Sequence, residues 1–68
     1  MPDAKELHEA LGILIPKADP NNLFMCAEHD EIYVPGPPPE KLTPEERKRL
    51  DELGVTWEED SENWHAFV

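Results

Sequence analysis

The sequence has one cysteine, few basic residues and no long apolar run. Cys26 has no second cysteine to pair with, so an internal disulfide is excluded. No apolar stretch approaches the length of a membrane-spanning helix. The first residues lack the basic and apolar regions of a secretory signal. We therefore expect a cytoplasmic protein that does not engage membranes.

Basic side chains are scarce as well. Six Lys and Arg residues stand against 16 Asp and Glu residues, for a formal net charge of −10. Because nucleic acid phosphates are bound by clustered Lys and Arg, direct nucleic acid binding is not expected. The acidic excess fits a basic protein partner, a divalent cation or imitation of a polyanion. The alternative is that the charge serves only solubility.

Catalytic patterns are also missing. The chain has no phosphate-binding loop, no dinucleotide-binding glycine pattern and no evident pair of nucleophile and base. Its three histidines are spread along the sequence. We expect a protein that is not an enzyme and uses no cofactor.

The length of 68 residues allows one small domain, covering residues 1–68. Near its start, Asp3 and Glu6 have the spacing of a helix capping box. An apolar stripe with helical spacing follows, formed by Leu7, Ala10, Leu11 and Leu14. The pattern predicts a helix through about Leu14, and the Pro- and Asn-rich residues 16–22 predict a loop.

Residues 23–34 predict a β-hairpin, since two apolar runs flank the polar residues Glu28–Glu31. A two-residue turn at His29–Asp30 would set Glu28 opposite Glu31, and facing like charges are destabilising. The turn also lacks the glycine that tight turns prefer. We therefore predict a longer, four-residue loop or a cation at this position.

Residues 35–42 contain four prolines among eight residues and predict an extended connector between the two halves of the chain. A second helix follows. Thr43 is a suitable N-cap, Pro44 fits the first helical position, and Gly54 is suited to end the helix.

Residues 55–68 predict a second hairpin. A turn at Asp60–Ser61 would set Trp57 opposite Trp64 and Thr56 opposite His65, with both tryptophans in the core. The predicted order is αββαββ. We expect an α+β fold with a single two-layer domain, in which two hairpins form a four-stranded antiparallel sheet and two helices cover one face.

Acidic residues concentrate at both predicted hairpin turns. The first acidic turn holds Glu28, Asp30 and Glu31, and the second acidic turn holds Glu58, Glu59, Asp60 and Glu62. Folding alone does not require this much charge at either turn. We take these seven residues as candidates for binding a basic protein surface.

Two alternatives remain open. Cys26 and His29 have a spacing found in metal sites, but a structural zinc site normally has four ligands in two close pairs, and only one pair is present. A metal-binding module centred on Cys26 and His29 is thus one alternative. A structural homodimer that extends the sheet or buries an aromatic face is the other.

The tail of the chain resembles the ends of small, acidic, uncharacterised phage and prophage proteins. The positions that carry the resemblance are Leu53, Gly54, Trp57, Glu58, Glu59, Trp64, Phe67 and Val68. The resemblance implies an origin rather than an activity. Together with the charge, it leads us to expect a phage-like accessory protein that acts by protein–protein interaction through an acidic surface. Nucleic acid mimicry is a sharper form of this hypothesis.

Overall fold

A computed structural model describes residues 2–67 and confirms the α+β fold. Within this range the chain forms two α-helices and one four-stranded antiparallel sheet. The elements are α1 (Ala4–Leu14), β1 (Cys26–Glu28), β2 (Glu31–Val34), α2 (Pro44–Glu52), β3 (Thr56–Glu58) and β4 (Asn63–Phe67). Short 3-10 helices follow α1 at Ile15–Lys17 and precede α2 at Pro39–Lys41.

Helix α1 begins with the predicted capping box. The Glu6 backbone N–H donates to Asp3 Oδ1 at 2.8 Å, and the Asp3 N–H donates to Glu6 Oε1 at 3.1 Å. Ala10 and Leu14 are fully buried and supply the helix's main contribution to the core. The helix ends at Leu14 as predicted, although a 3-10 turn continues the chain through Pro16.

Helix α2 also begins with a reciprocal cap. The Glu46 N–H donates to Thr43 Oγ1 at 3.1 Å, and the Thr43 N–H donates to Glu46 Oε1 at 2.9 Å. Beyond its last turn, Gly54 has a φ of 81°, in the left-handed region that favours glycine. Both predicted ends of this helix are therefore confirmed.

Replacing Thr43 by Ala should lower the free energy of unfolding by about 1 kcal/mol, because the Glu46 N–H loses its side-chain acceptor. Urea unfolding followed by circular dichroism measures the change. Thr43→Ser keeps the hydroxyl and is the matched control. An equal loss for Ser and Ala would show that the cap is not the cause.

The first hairpin differs from its prediction. The turn has only two residues, His29 and Asp30, and Glu28 pairs directly with Glu31, so the expected four-residue loop is wrong. His29 takes a left-handed φ of 56°, a conformation in which His is found more often than most residues. Because Glu28 is exposed, solvent and salt weaken the repulsion between its carboxylate and that of Glu31. Strand β1 starts only at Cys26, which leaves Leu23–Met25 outside the sheet.

The second hairpin has the predicted register. Trp57 pairs with Trp64 and Thr56 with His65, and residues 59–62 form the turn. The two indole rings meet edge to face, with centroids 5.4 Å apart. Trp64 is buried in the core, whereas Trp57 is only half-buried.

The strand order is β1-β2-β4-β3, so the last strand of the chain lies inside the sheet. Strand β4 pairs with β2 through Glu31–Phe67 at one end and Val34–Trp64 at the other. The β1–β2 turn therefore lies beside the end of β4, and the β3–β4 turn beside its start. This register puts the two acidic turns at opposite ends of the sheet.

The core lies between the sheet and the helices. Its buried apolar residues are Ala10, Leu14, Val34, Leu42, Leu50, Leu53, Val55, Trp64 and Ala66. The connector of residues 35–42 crosses one end of this layer, and the Trp64 Nε1–H donates to the Pro37 carbonyl at 2.8 Å. In residues 2–67, the helices are too short or too polar to traverse a bilayer.

Candidate functional site

The seven acidic residues predicted to bind a partner do not form one patch. Glu28, Asp30 and Glu31 lie at one end of the sheet, and Glu59, Asp60 and Glu62 lie at the other. Glu58 is the last residue of β3. Glu31 and Glu58 are half-buried and the other five are exposed.

The sheet has a second face, opposite the helices, which we call the open face. Alternation along the strands gives it Cys26, Glu28, Glu31, Tyr33, Thr56, Glu58, Asn63, His65 and Phe67. The register aligns Tyr33, His65 and Thr56 in one row across three strands. Carboxylates and aromatic rings therefore share one surface.

His65 is the centre of the open face and is only 8% exposed. Its Nδ1 lies 3.1 Å from Glu31 Oε1, and its Nε2 lies 3.0 Å from Thr56 Oγ1. Since a carboxylate only accepts, Nδ1–H donates to Glu31, and in the neutral ring Nε2 accepts from the Thr56 hydroxyl. The ring thus connects β2, β3 and β4.

Neighbouring side chains enclose His65. The Tyr33 ring stacks on it with centroids 6.1 Å apart, and the Phe67 ring meets it edge to face at 5.6 Å. Glu58 Oε2 lies 3.7 Å from Nε2. Two carboxylates, one from each acidic turn, therefore converge on a single imidazole.

Thr56, His65 and Glu31 have the order hydroxyl, imidazole and carboxylate that nucleophilic catalysis uses. Catalysis also requires a pocket for the substrate and donors for the developing oxyanion. Neither of the two clefts described below is lined by Thr56 or His65. The three side chains form a hydrogen-bond network that joins β2, β3 and β4.

The pKa of Tyr33 reports the electrostatics of the open face. Burial of the ring raises this pKa above its ordinary value of 10.0, and the negative charge of Glu31 and its hydrogen bond with the Tyr33 hydroxyl raise it further. The charges of Glu28 and Glu58 act in the same direction. Carboxylates of both acidic turns thus contribute to one negative field.

Tyr33 is the only tyrosine, so its titration can be followed by tyrosinate absorbance. We expect a midpoint above 10.0 that Glu31→Gln lowers. Because the folded state holds this proton more tightly, the associated stability is present at neutral pH and is lost as the pH rises from 10.0 through the folded pKa.

Asp51→Asn, on the exposed surface of α2, is the control for the Tyr33 titration and should leave the midpoint unchanged. A midpoint at 10.0 that is insensitive to Glu31→Gln would contradict the described contacts.

A cleft lies at the other end of the sheet, beside the second acidic turn. Its volume is about 500 Å³, and its lining residues are Gly36, Pro38, Pro39, Glu40, Trp57, Glu59 and Glu62. A smaller cleft of about 210 Å³ is lined by Asn22, Phe24, Cys26, Tyr33, Val34 and Asn63. The larger one combines an aromatic wall with three carboxylates.

The concentration of acids at the second turn predicts Glu59 and Glu62 as binding residues. It does not predict that Glu40 and Trp57 line a cleft beside them. The cleft exists because the connector passes the second turn, and the hydrogen bond between Trp64 and Pro37 fixes that path. No local sequence signal predicts this bond, which joins residues 27 positions apart.

In the described part of the chain, Lys and Arg side chains form no ion pair with either acidic turn. Within residues 2–67 their ion pairs join Lys17 to Glu46 at 2.7 Å and Arg49 to Glu9 and Glu52. The hydrogen bond from Arg49 lowers the pKa of Glu9. The ion pairs of Lys17 and Arg49 therefore involve the helices and the 3-10 turn after α1, and within residues 2–67 none of them involves an acid of the sheet.

The arrangement of the described residues does not support the metal-binding alternative centred on Cys26 and His29. Cys26 is exposed on an edge strand and His29 is exposed in the turn. Among residues 2–67, no group of three or more His, Cys, Asp or Glu side chains is arranged to hold a metal ion.

Comparison of the chain with protein-family models, curated proteins and solved structures gives no match.

Proposed function

We propose that this protein is a small acidic accessory protein that binds a basic protein surface through the open face and the adjoining first acidic turn. The observation that carries the proposal is the convergence of the Glu28, Glu31 and Glu58 charges around Tyr33, with no Lys or Arg partner for them in residues 2–67.

Exposed aromatic side chains favour a binding surface over a merely solubilising one. Phe67 on the open face is 57% exposed, and Phe24 beside β1 is 79% exposed. Solubility is served by acidic residues at any surface position and gains nothing from exposed phenylalanines. Aromatic anchors beside charged residues are typical of protein interfaces. The complementary partner presents Lys or Arg side chains around an apolar patch.

The tail's resemblance to small phage and prophage proteins supports an accessory role rather than a metabolic one. The expected setting is the cytoplasm, where a lone thiol such as Cys26 stays reduced. If the acidic surface imitates nucleic acid, the partner is a nucleic-acid-binding protein and DNA competes for the same site.

Affinity capture with matched charge variants tests the proposal. The test variant carries Glu28→Lys and Asp30→Lys in the first acidic turn. The control carries Asp51→Lys and Glu52→Lys near the end of α2, where basic residues suit the helix dipole. Both variants change the net charge equally, so a difference between them reports position rather than total charge.

We expect a basic protein that wild type and the control retain and that the test variant loses. Titration calorimetry with the purified partner, with and without DNA, then measures direct binding and mimicry. Equal retention by both variants would overturn the proposal. So would light scattering that shows a dimer dissociated by Phe67→Ser, because the open face would then bind a second copy of the chain.

A further inference from the structure

We infer that the cleft beside the second acidic turn binds an arginine side chain of the basic partner. This inference rests on the proposed function and adds a second contact with the same partner, at the end of the sheet opposite the first acidic turn. The cleft is lined by Gly36, Pro38, Pro39, Glu40, Trp57, Glu59 and Glu62.

The walls of the cleft suit a long side chain with an apolar stem and a cationic end. Trp57 is half-buried and lines the cleft, so part of its indole is accessible. Tryptophan is the aromatic side chain that attracts cations most strongly. Pro38 and Pro39 offer an apolar surface for the methylene groups that Arg and Lys bury while their charge stays in contact with water.

The rim of the cleft supplies the opposite charge. Glu40 comes from the connector, and Glu59 and Glu62 come from the second acidic turn. All three are exposed, and within residues 2–67 none forms an ion pair with Lys or Arg. A planar guanidinium can stack flat on an indole and present five N–H donors to the carboxylates of the rim, whereas an ammonium group has three donors and no flat face.

The cleft is also preorganised. The hydrogen bond from Trp64 Nε1–H to the Pro37 carbonyl fixes the connector, and the edge-to-face contact with Trp64 fixes Trp57. Prolines lose little conformational freedom when a ligand binds. A volume of about 500 Å³ lies within the range of small-ligand sites. Binding therefore requires little reordering of the protein, which favours affinity.

NMR titration of the ¹⁵N-labelled protein with N-acetyl-arginine amide tests the inference. The indole Nε1–H signal of Trp57 should shift saturably, together with the backbone amides of residues 59–62. N-acetyl-citrulline amide has the same length without the charge and should give no saturable shift. N-acetyl-lysine amide should bind more weakly than the arginine probe.

Two paired variants locate the binding. Glu59→Gln with Glu62→Gln should weaken arginine binding about five- to tenfold, since each exposed ion pair contributes modestly. Glu45→Gln with Asp51→Asn on α2, outside both acidic turns and the cleft, should leave the affinity unchanged. Both pairs replace exposed side chains, so the fold is retained in each.

Equal shifts with citrulline, tighter binding of lysine, or shifts confined to His65 and Tyr33 would each overturn the assignment. The measurement uses an isolated amino acid derivative and needs no partner protein. A negative result here would leave the open-face proposal standing. Saturable arginine binding without any captured partner would support the cleft assignment and count against the open-face proposal.

Discussion

Trp64→Ala is expected to remove a large part of the free energy of unfolding. Trp64 is 4% exposed in the core, and truncating a buried tryptophan costs about 3–5 kcal/mol. A domain of 68 residues has a total stability of about 3–10 kcal/mol. The expected loss is therefore comparable with the net free energy of unfolding of the whole domain. Far-ultraviolet circular dichroism and the dispersion of the NMR spectrum measure the outcome.

Two further variants separate the contributions of Trp64. Trp64→Phe keeps a ring in the core but leaves the buried Pro37 carbonyl without its donor, which should cost about 1–3 kcal/mol. Trp57→Phe should cost less than Trp64→Ala because Trp57 is half-buried. A Trp64→Ala protein with an unchanged unfolding midpoint would contradict the described core.

Gly36→Ala is expected to have the second largest effect. A Cβ at this position would lie 2.5 Å from Trp64 Cδ1 and 2.9 Å from Leu14 Cδ2, closer than side chains can approach. Such overpacking costs about 1–3 kcal/mol. The connector must move to relieve it, and this movement threatens the bond between Trp64 and Pro37, worth about 1 kcal/mol more.

Gly12→Ala is the matched control for Gly36→Ala. Gly12 lies inside α1, and a Cβ there meets nothing within 4 Å. Alanine should therefore stabilise the protein by about 0.5–1 kcal/mol through its higher helix propensity. Urea unfolding should move the two midpoints in opposite directions. A rise in both midpoints would show that the space around Gly36 is larger than described.

The elements that the sequence predicts well are those encoded by near neighbours. Both capping boxes involve residues three positions apart, and the second hairpin register follows from alternation around one turn. The first hairpin shows the limit of such rules. Turn preference and facing charges argued against pairing Glu28 with Glu31, but pairing along the rest of the strands outweighs both effects.

The candidate site was predictable only in part. The acidic residues are evident from composition, but their distribution over two ends of the sheet depends on the pairing of β2 with β4. The same pairing brings Glu31 to His65, 34 positions away. Neither periodicity nor capping specifies which edges of two hairpins meet. Contacts of this range are decided by the packing of the whole chain.

The central position of β4 has a consequence for the order of folding. Strand β4 lies between β2 and β3 and joins them. Without residues 63–67, the described sheet would be reduced to the β1–β2 hairpin and a separate β3. The first hairpin, both helices and β3 all precede β4 in the sequence, so the sheet on which the helices pack is completed only when β4 is present. Variants of this chain that lack residues 63–67 should therefore stay unfolded and susceptible to proteases.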